Sequence, residues 1–521
     1  MTQPPAEAAT RPYWSCLLTL VALGLAFRFG LALILPPGYD ESYYLFYGQN
    51  LALSYFDHPL LVGLWAAAGQ ALGDRSGIDP VLALRLPGLL SYSAAIVLLS
   101  EATRVWFGRR AAVLAAGLAS LCPLVFACGG LLLLPDSPLI LMLALLLWWL
   151  ARCPLHAART PRQSLLFGLI LGGLSLGKYH ALVLILTLVV LRLINSLRQG
   201  ELRWRDTALV LAGWLAASWP LWLWNLQNGW LSFSFHAART GSAGGYRLEG
   251  PPLFLLSQLA LLFPTIGVLV VAALLRPAPQ SSDPGREATA LLRWLALPQL
   301  VLFTLLAGRM QVLSSWLVPA WWLLLPLAAA RLAAPATWAR RWVRGLAVLS
   351  AAAVPTLSLT AAAHVRWGIA SALLPPAADT SGQLLAPANL RQALQEHPAI
   401  WQALRQAQVI GSNRYELPGF LALALKGYSR ASYTAYTSDS RGFDQWRQQL
   451  DPTARRGVLF AVVGDYAPLA SLASSQPGQP WQFGSLRPLG QVQVLRRGQP
   501  AALLEFYSFD PSELRAAPAR R

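Results

Sequence analysis

The sequence predicts a polytopic α-helical membrane protein followed by a C-terminal α/β domain on the outer face of the membrane. Three observations carry that expectation. The chain has 521 residues, 55% of them hydrophobic, with 21 tryptophans and a mean hydropathy of +0.46, outside the range of an ordinary soluble domain. Apolar runs long enough to cross a bilayer recur from residue 13 to about residue 365. From residue 366 onward the pattern shifts to short buried-strand runs and polar helices. The net charge of +18 does not point to nucleic acid, because the arginines sit in short clusters between apolar runs rather than along one stripe.

Residues 1–12 read as a polar, Pro/Ala-rich cytoplasmic tail. The first apolar run, Cys16 to Leu35, is too long for a signal-peptide core and is followed by further spans, so no cleavable leader is expected. Eleven spans are predicted within residues 13–365, near 13–35, 81–103, 111–130, 136–151, 163–178, 180–197, 207–224, 252–275, 290–307, 313–333 and 343–364. The pairs meeting at 130–136 and 178–180 are candidates for broken or tilted helices. Connections holding Arg104–Arg110, Arg152–Arg162, Arg192–Arg205, Arg276–Arg293 and Arg331–Arg344 are rich in arginine. The opposite connections carry only Arg75, Arg85, Lys178, Arg239, Arg247 and Arg309. This asymmetry places the N-terminus in the cytoplasm and the C-terminal domain outside. The four cysteines (Cys16, Cys122, Cys128, Cys153) lie in or beside spans with no metal-binding spacing.

The first outer loop is the stretch that carries chemistry. GYDESYYLFYGQNLALSYFDHP (38–59) concentrates Asp40, Glu41, Asp57 and His58 in a chain that is only 12% charged. Carboxylates at the edge of a lipid-embedded segment are costly unless they bind or catalyse; the bland alternative is a solvated acidic loop. Two interfacial helices are expected here, Glu41–Leu53 with Tyr44, Tyr47 and Leu51 on one face, and LLVGLWAAAGQAL (60–72). Asp136, between Pro135 and Pro138, stands at the second outer turn, where its plain alternative is a helix N-cap.

Lys178 is the only lysine of the membrane domain. It is a candidate to pair with an anionic phosphate, with snorkelling to the interface as the alternative. Arg28 lies mid-span and needs a partner that the sequence does not name. The loop 224–247, with His236, Arg239 and Arg247 and a Gly-rich tip, suits a mobile cover over a site. Segment 308–316 supplies Arg309 to the same side. Residues 374–388 read as a linker. Beyond it, QVIGS and VLFAVV read as buried strands, and VQVLRRGQPAALLEFYSF as a hairpin around Gly498.

In order, YDESYYLFYGQNLALSYFDHPLL, LPDSPL, LGKYHALVL and WNLQNGWLSFSFH resemble the membrane glycosyltransferases of the GT-C superfamily. Within it, the likeness is to the group containing the bacterial lipid A aminoarabinose transferase and the protein O-mannosyltransferase-like enzymes. It covers residue 13 to about 330, and SNRYELPGFLAL with SRGFDQW extends it weakly into the outer domain.

The resemblance implies an inverting transfer of a sugar from a polyprenyl-phosphate donor to a lipid, glycan or protein acceptor, at the outer face of a bacterial inner membrane. It matches Asp40 to the catalytic first-loop acid, with Glu41 as companion and Asp136 as second-loop acid. Lys178, His58 and Arg309 are the candidates for the donor phosphate. Asp57 and His236 are candidates for a divalent cation, which is treated as optional. Asp57-His58-Pro59 falls where the aminoarabinose enzyme has Glu-Lys-Pro, so His58 is a departure and Lys178 is expected to take over phosphate pairing. The rival class is a lipid or solute transporter, which also uses charges within the membrane, but the acids here gather on one side and no inverted duplication is visible.

Overall fold

The computed structural model describes residues 11–200, 203–240, 245–276, 283–373, 379–463 and 481–516. They fall into two compact units. The first is Met1–Leu31, Ala52–Trp65 and Arg85–Ser358; the second is Ala32–Leu51, Ala66–Leu84 and Leu359–Arg521.

Every predicted span is helical, because backbone groups in lipid must be satisfied within the segment. In chain order the helices are α1 (Arg11–Ile34), α2 (Tyr39–Gln49), α3 (Leu60–Ser76), α4 (Pro80–Phe107), α5 (Arg109–Leu121), α6 (Pro123–Gly130) and α7 (Asp136–Arg152). Then come α8 (Pro161–Gly177), α9 (Ala181–Gln199), α10 (Trp204–Gln227), α11 (Leu231–Thr240), α12 (Gly250–Leu261) and α13 (Pro264–Leu275). The series closes with α14 (Asp283–Leu306), α15 (Val318–Ala333), the one-turn α16 (Pro335–Trp338) and α17 (Arg341–Trp367).

Among the described residues, seven helices are long and apolar enough to cross a bilayer, and nine if each bent pair counts as one span. The bent pairs are α5–α6, turned by 76°, and α12–α13, turned by 117°. Each breaks just before a proline, Pro123 or Pro264, where helical backbone is disfavoured for the preceding residue; Phe263 accordingly sits at φ 72. The other two predicted spans, α7 and α8, have 17 residues each. That is about 25 Å of helix, short of the ~30 Å hydrocarbon core unless flanking residues help.

Local chemistry sets the boundaries. Thr160 and Gln163 form a capping box ahead of α8, with Pro161 at its first position. Gly200, at φ 65, closes α9. Helices α8 and α10 meet along a glycine seam, since a Cβ on Gly168 would overlap the Val210 carbonyl and one on Gly213 the Leu165 carbonyl. Small residues let two membrane helices approach at backbone distance. Arg28 is fully buried and finds the partners that the sequence did not name. It donates to Ser93 Oγ at 3.1 Å and lies over the Tyr92 ring at 4.8 Å.

In the second unit, the C-terminal residues form helices α18 (Pro387–Gln395), α19 (Pro398–Gln406) and α20 (Leu417–Ala424). They pack on a sheet of β1 (Val409–Ser412), β2 (Ser432–Ala435), β3 (Gly457–Val462), β4 (Leu486–Arg496) and β5 (Gln499–Phe509). The strand order is β2-β1-β3-β5-β4, with β1 parallel to β2 and β3, and β5 antiparallel to its neighbours. Both predicted buried strands are present, and the hairpin turns at Arg497 and Gly498, φ 50 and 76, the left-handed pair that a tight hairpin needs. Ile410, Val458, Phe460 and Leu504 pack toward the helices, while Val409, Leu459 and Phe509 fill the opposite face. The linker prediction for 374–388 lies partly outside the described residues. Within it, Asp379 accepts from Ser371 Oγ at 2.7 Å and Arg496 Nη2 at 3.0 Å, and pairs with His364 at 3.2 Å.

Helix α2 belongs to this second unit and differs from its expectation. Residues Glu41 to Tyr47 are buried without interruption, so α2 is not an amphipathic helix with one wet face. It ends at Gln49, and its surface is covered by the α/β residues.

Candidate active site

In the first unit, the LGKYH motif is the hinge between two helices. Helix α8 stops at Gly177, Lys178 is extended (φ −159, ψ 144), and α9 starts at Ala181. The extended residue turns its ammonium toward the start of α7. There Lys178 Nζ donates to both oxygens of Asp136, at 2.9 and 2.8 Å. The side chains are only 3% and 2% exposed. Asp136 occupies the first position of α7 rather than its N-cap, and the helix N-terminus favours its charge. Two residues selected separately from the sequence are therefore one buried ion pair.

Around this pair the chain gathers further polar groups. Tyr179 Oη lies 3.4 Å from Ser54 Oγ and 3.5 Å from Asn225 Nδ2, and its ring meets Phe233 and His236 at 5.4 and 5.2 Å. Ser232 donates to the Tyr55 carbonyl at 2.9 Å, tying α11 to the 53–59 loop. His236 Nε2 lies 3.2 Å from the Asp57 carbonyl. A carbonyl only accepts, so that nitrogen carries the proton. Burial lowers the His236 pKa below the ordinary histidine value; the Asp57 carbonyl and charge oppose this, and Arg239 and Lys178 add to it.

His180 stacks against Phe303 and Trp316, both at 4.8 Å. The Arg239 guanidinium sits over Trp316 at 5.7 Å and Phe235 at 5.5 Å. Lys178, His236, His58 and Arg239 all act electrostatically on His180. The arrangement is a cluster of cations and imidazoles with two buried acids, Asp57 and Asp136. Chemically it suits an anion that is stabilised as charge develops.

The expectation of a mobile loop over 224–247 is corrected in part: Leu231–Thr240 is a helix, and the Gly-rich tip 241–244 lies outside the described residues. Arg309 is exposed, and its backbone N–H donates to the Leu306 carbonyl at 2.8 Å. Asp40 and Glu41 lie in the other unit. Glu41 is 2% exposed and its Oε2 accepts the Gly38 N–H at 2.9 Å. It caps α2, and Gly38 has no side chain to complete a reciprocal box. For a divalent cation, the described residues offer no group of three or more His, Cys, Asp or Glu able to hold one. The His236 Nε2–H is spent on a backbone carbonyl, which leaves Nδ1 as its lone-pair nitrogen; with no third ligand beside Asp57 and His236 among the described residues, no step is assigned to a metal.

A family model described as dolichyl-phosphate-mannose-protein mannosyltransferase matches residues 57–224, the span that contains Asp57, His58, Asp136 and Lys178. The chain is 27% identical over 351 residues to the lipid A galacturonosyltransferase RgtD of Rhizobium johnstonii, with 67% of each chain covered. Its fold is similar to that of ArnT from Cupriavidus metallidurans in the apo state, with a TM-score of 0.59 at 17% identity over 96% of this chain and 98% of that one. The undecaprenyl-phosphate-bound form of that enzyme gives 0.60 at 18% identity, over 96% and 99%. The chain therefore shares the GT-C-type fold of the ArnT structures.

The ion pair and the imidazoles lie at the break between helices α8 and α9. Sequence reasoning missed Tyr179 and His180 although both sit in the LGKYH motif. It noted Arg239 but did not assign it to the anion. The available signal was the run of three polar-capable residues, Lys178, Tyr179 and His180, between two apolar helices.

Proposed function

We propose that this protein transfers a sugar from a polyprenyl-phosphate-linked donor to a lipid or glycan acceptor at the outer face of the bacterial inner membrane, with inversion at the anomeric carbon. The observation that carries the reading is the buried Lys178–Asp136 pair beside the imidazoles and Arg239. An ammonium has three N–H donors, and two are spent on Asp136, so the third serves the donor phosphate. His58 and Arg239 supplement it, and Asp136 fixes the lysine in place. Both the matched family description and the RgtD relative name sugar transferases, which favours transfer over the transporter alternative.

In the proposed reaction the acceptor hydroxyl oxygen bonds to the anomeric carbon and its proton passes to a carboxylate base, a role that the resemblance assigns to Asp40. The bond from that carbon to the phosphate oxygen breaks, and polyprenyl phosphate leaves as an anion. One displacement inverts the centre and needs no nucleophilic Ser or Cys. Deleting the gene should cause one lipid-linked sugar to accumulate in membranes while one modified acceptor disappears, both read by mass spectrometry. Unchanged lipid-linked sugars and acceptors would refute the reading.

A further inference from the structure

The helix that presents Asp40 is gripped by the α/β fold of its own unit. Tyr39 Oη donates to Gln383 Oε1 at 2.9 Å. Ser42 Oγ bonds the Glu416 carbonyl, and Gly419 lies so close to the Ser42 backbone that a Cβ would overlap it. Tyr43 is fully buried, and its hydroxyl accepts the Gly442 N–H at 3.0 Å. Its ring packs against Tyr415, Phe443 and Trp446 at 5.1, 5.9 and 6.0 Å.

The turn that aims this N–H is strained. Arg441 adopts φ 48, a left-handed conformation that costs a non-glycine residue free energy and concentrates at functional positions. The turn is held by its own contacts, with the Arg441 guanidinium 3.7 Å above the Tyr415 ring and Ser440 Oγ donating to the Thr437 carbonyl at 2.6 Å. Gly442 has no slack either, since a Cβ there would come within 2.9 Å of Trp446 and 3.0 Å of Tyr43 Oη. Tyr43 follows Asp40 by three residues, so the two side chains are neighbours along one helix face. A lock on the tyrosine is therefore a lock on the carboxylate.

We infer that the Ser440–Gly442 turn and Tyr43 form a positioning device for the transfer step, which makes the α/β domain a working part of the enzyme. Tyr43 and Gly442 touch no substrate; they act through the register of α2. This inference rests on the reading of Asp40 as the base. Geometry errors of about an ångström at a reacting group cost up to 10²-fold in rate, so the effect belongs in kcat rather than in donor binding.

The test compares full-length Tyr43→Phe, Gly442→Ala and Asp40→Asn proteins with Leu404→Ala, a core change in α19 that lowers stability elsewhere in the domain. Each is assayed in detergent with a polyprenyl-phosphate-linked sugar, reading kcat, donor KM and the melting temperature. Tyr43→Phe should lower kcat about 10-fold with donor KM within about 2-fold, and Gly442→Ala should lower it further. Leu404→Ala should reduce the melting temperature yet keep kcat per folded molecule. If Asp40→Asn is inactive while Tyr43→Phe and Gly442→Ala turn over normally, the positioning role is wrong and the base assignment stands. If Asp40→Asn is active, the base assignment fails and the inference goes with it. Loss of kcat in proportion to lost folded protein, as for Leu404→Ala, would also overturn it.

Discussion

Replacing Lys178 by methionine keeps the length of the side chain and removes its charge. Asp136 is then left 1% exposed as a carboxylate with no cation beside it. Breaking a buried pair in this way costs roughly 3–5 kcal/mol, a factor of about 10² to 10⁴ at ~1.4 kcal/mol per decade. Asp136→Asn strands the ammonium, 3% exposed, at similar expense. The double variant Lys178→Met/Asp136→Asn removes both charges, and a neutral pair of similar volume is often tolerated. Melting in detergent should therefore show two damaging single changes and a double change milder than their sum. Turnover should behave differently, because the double variant still lacks the phosphate's donor. Losing one such charge-stabilising group removes roughly 2.7–4 kcal/mol of transition-state stabilisation, about 10²–10³ in kcat. Stability effects that simply add would show that the pair does not exist in solution. Full turnover in the double variant would make the pair purely structural and remove Lys178 from the reaction.

Three further outcomes are expected. Asp40→Asn keeps size and hydrogen bonding but not basicity, so donor binding should survive while transfer falls by about 10²-fold or more; equal turnover would shift the base to Asp57 or Asp136. Asp379 supplies a pH test of the second unit. Burial would raise its pKa, but hydrogen bonds from Ser381 and Ser371 and the charges of Arg496 and His364 outweigh that and hold it well below the carboxylate range. Its stabilisation is present above the unfolded value of about 3.9 and is lost as pH falls from there toward the folded value. Asp379→Asn should therefore flatten the acid limb of the melting profile, and an unchanged limb would refute the assignment. Reporter fusions after Arg109 and Arg341 should read cytoplasmic and those after Gly73 and Gly411 external; a reversed pattern would overturn the orientation drawn from the arginines.

The membrane helices were readable because lipid leaves the backbone few choices, and apolar length marked most of them, the 17-residue α7 and α8 falling short by that measure. The breaks at Pro123 and Pro264 were less so, since an apolar run hides a turn in the residue before a proline. Helix α2 was misread for another reason. Its pattern looked half-wet, yet Gly419, Tyr415 and Trp446, some 370 residues later in the chain, cover it. Asp136 and Lys178 each stood out as isolated charges in apolar surroundings, but nothing local to either showed that they bind each other across 42 positions. His180 and Arg239 are joined through a shared Trp316, a tertiary contact with no trace in spacing. The Gly-rich tip beyond Thr240 suggested a loop, and its weight hid the helical run before it.

The most direct test of the account is transfer by the purified protein in proteoliposomes supplied with a polyprenyl-phosphate-linked sugar labelled in the sugar and with an envelope lipid extract as acceptor. The account predicts label in an acceptor, stoichiometric release of polyprenyl phosphate, the inverted anomer in the product, and loss of all three in Lys178→Met. Intact donor after prolonged incubation with active-folded protein, or label that merely crosses the bilayer still attached to its lipid, would contradict it.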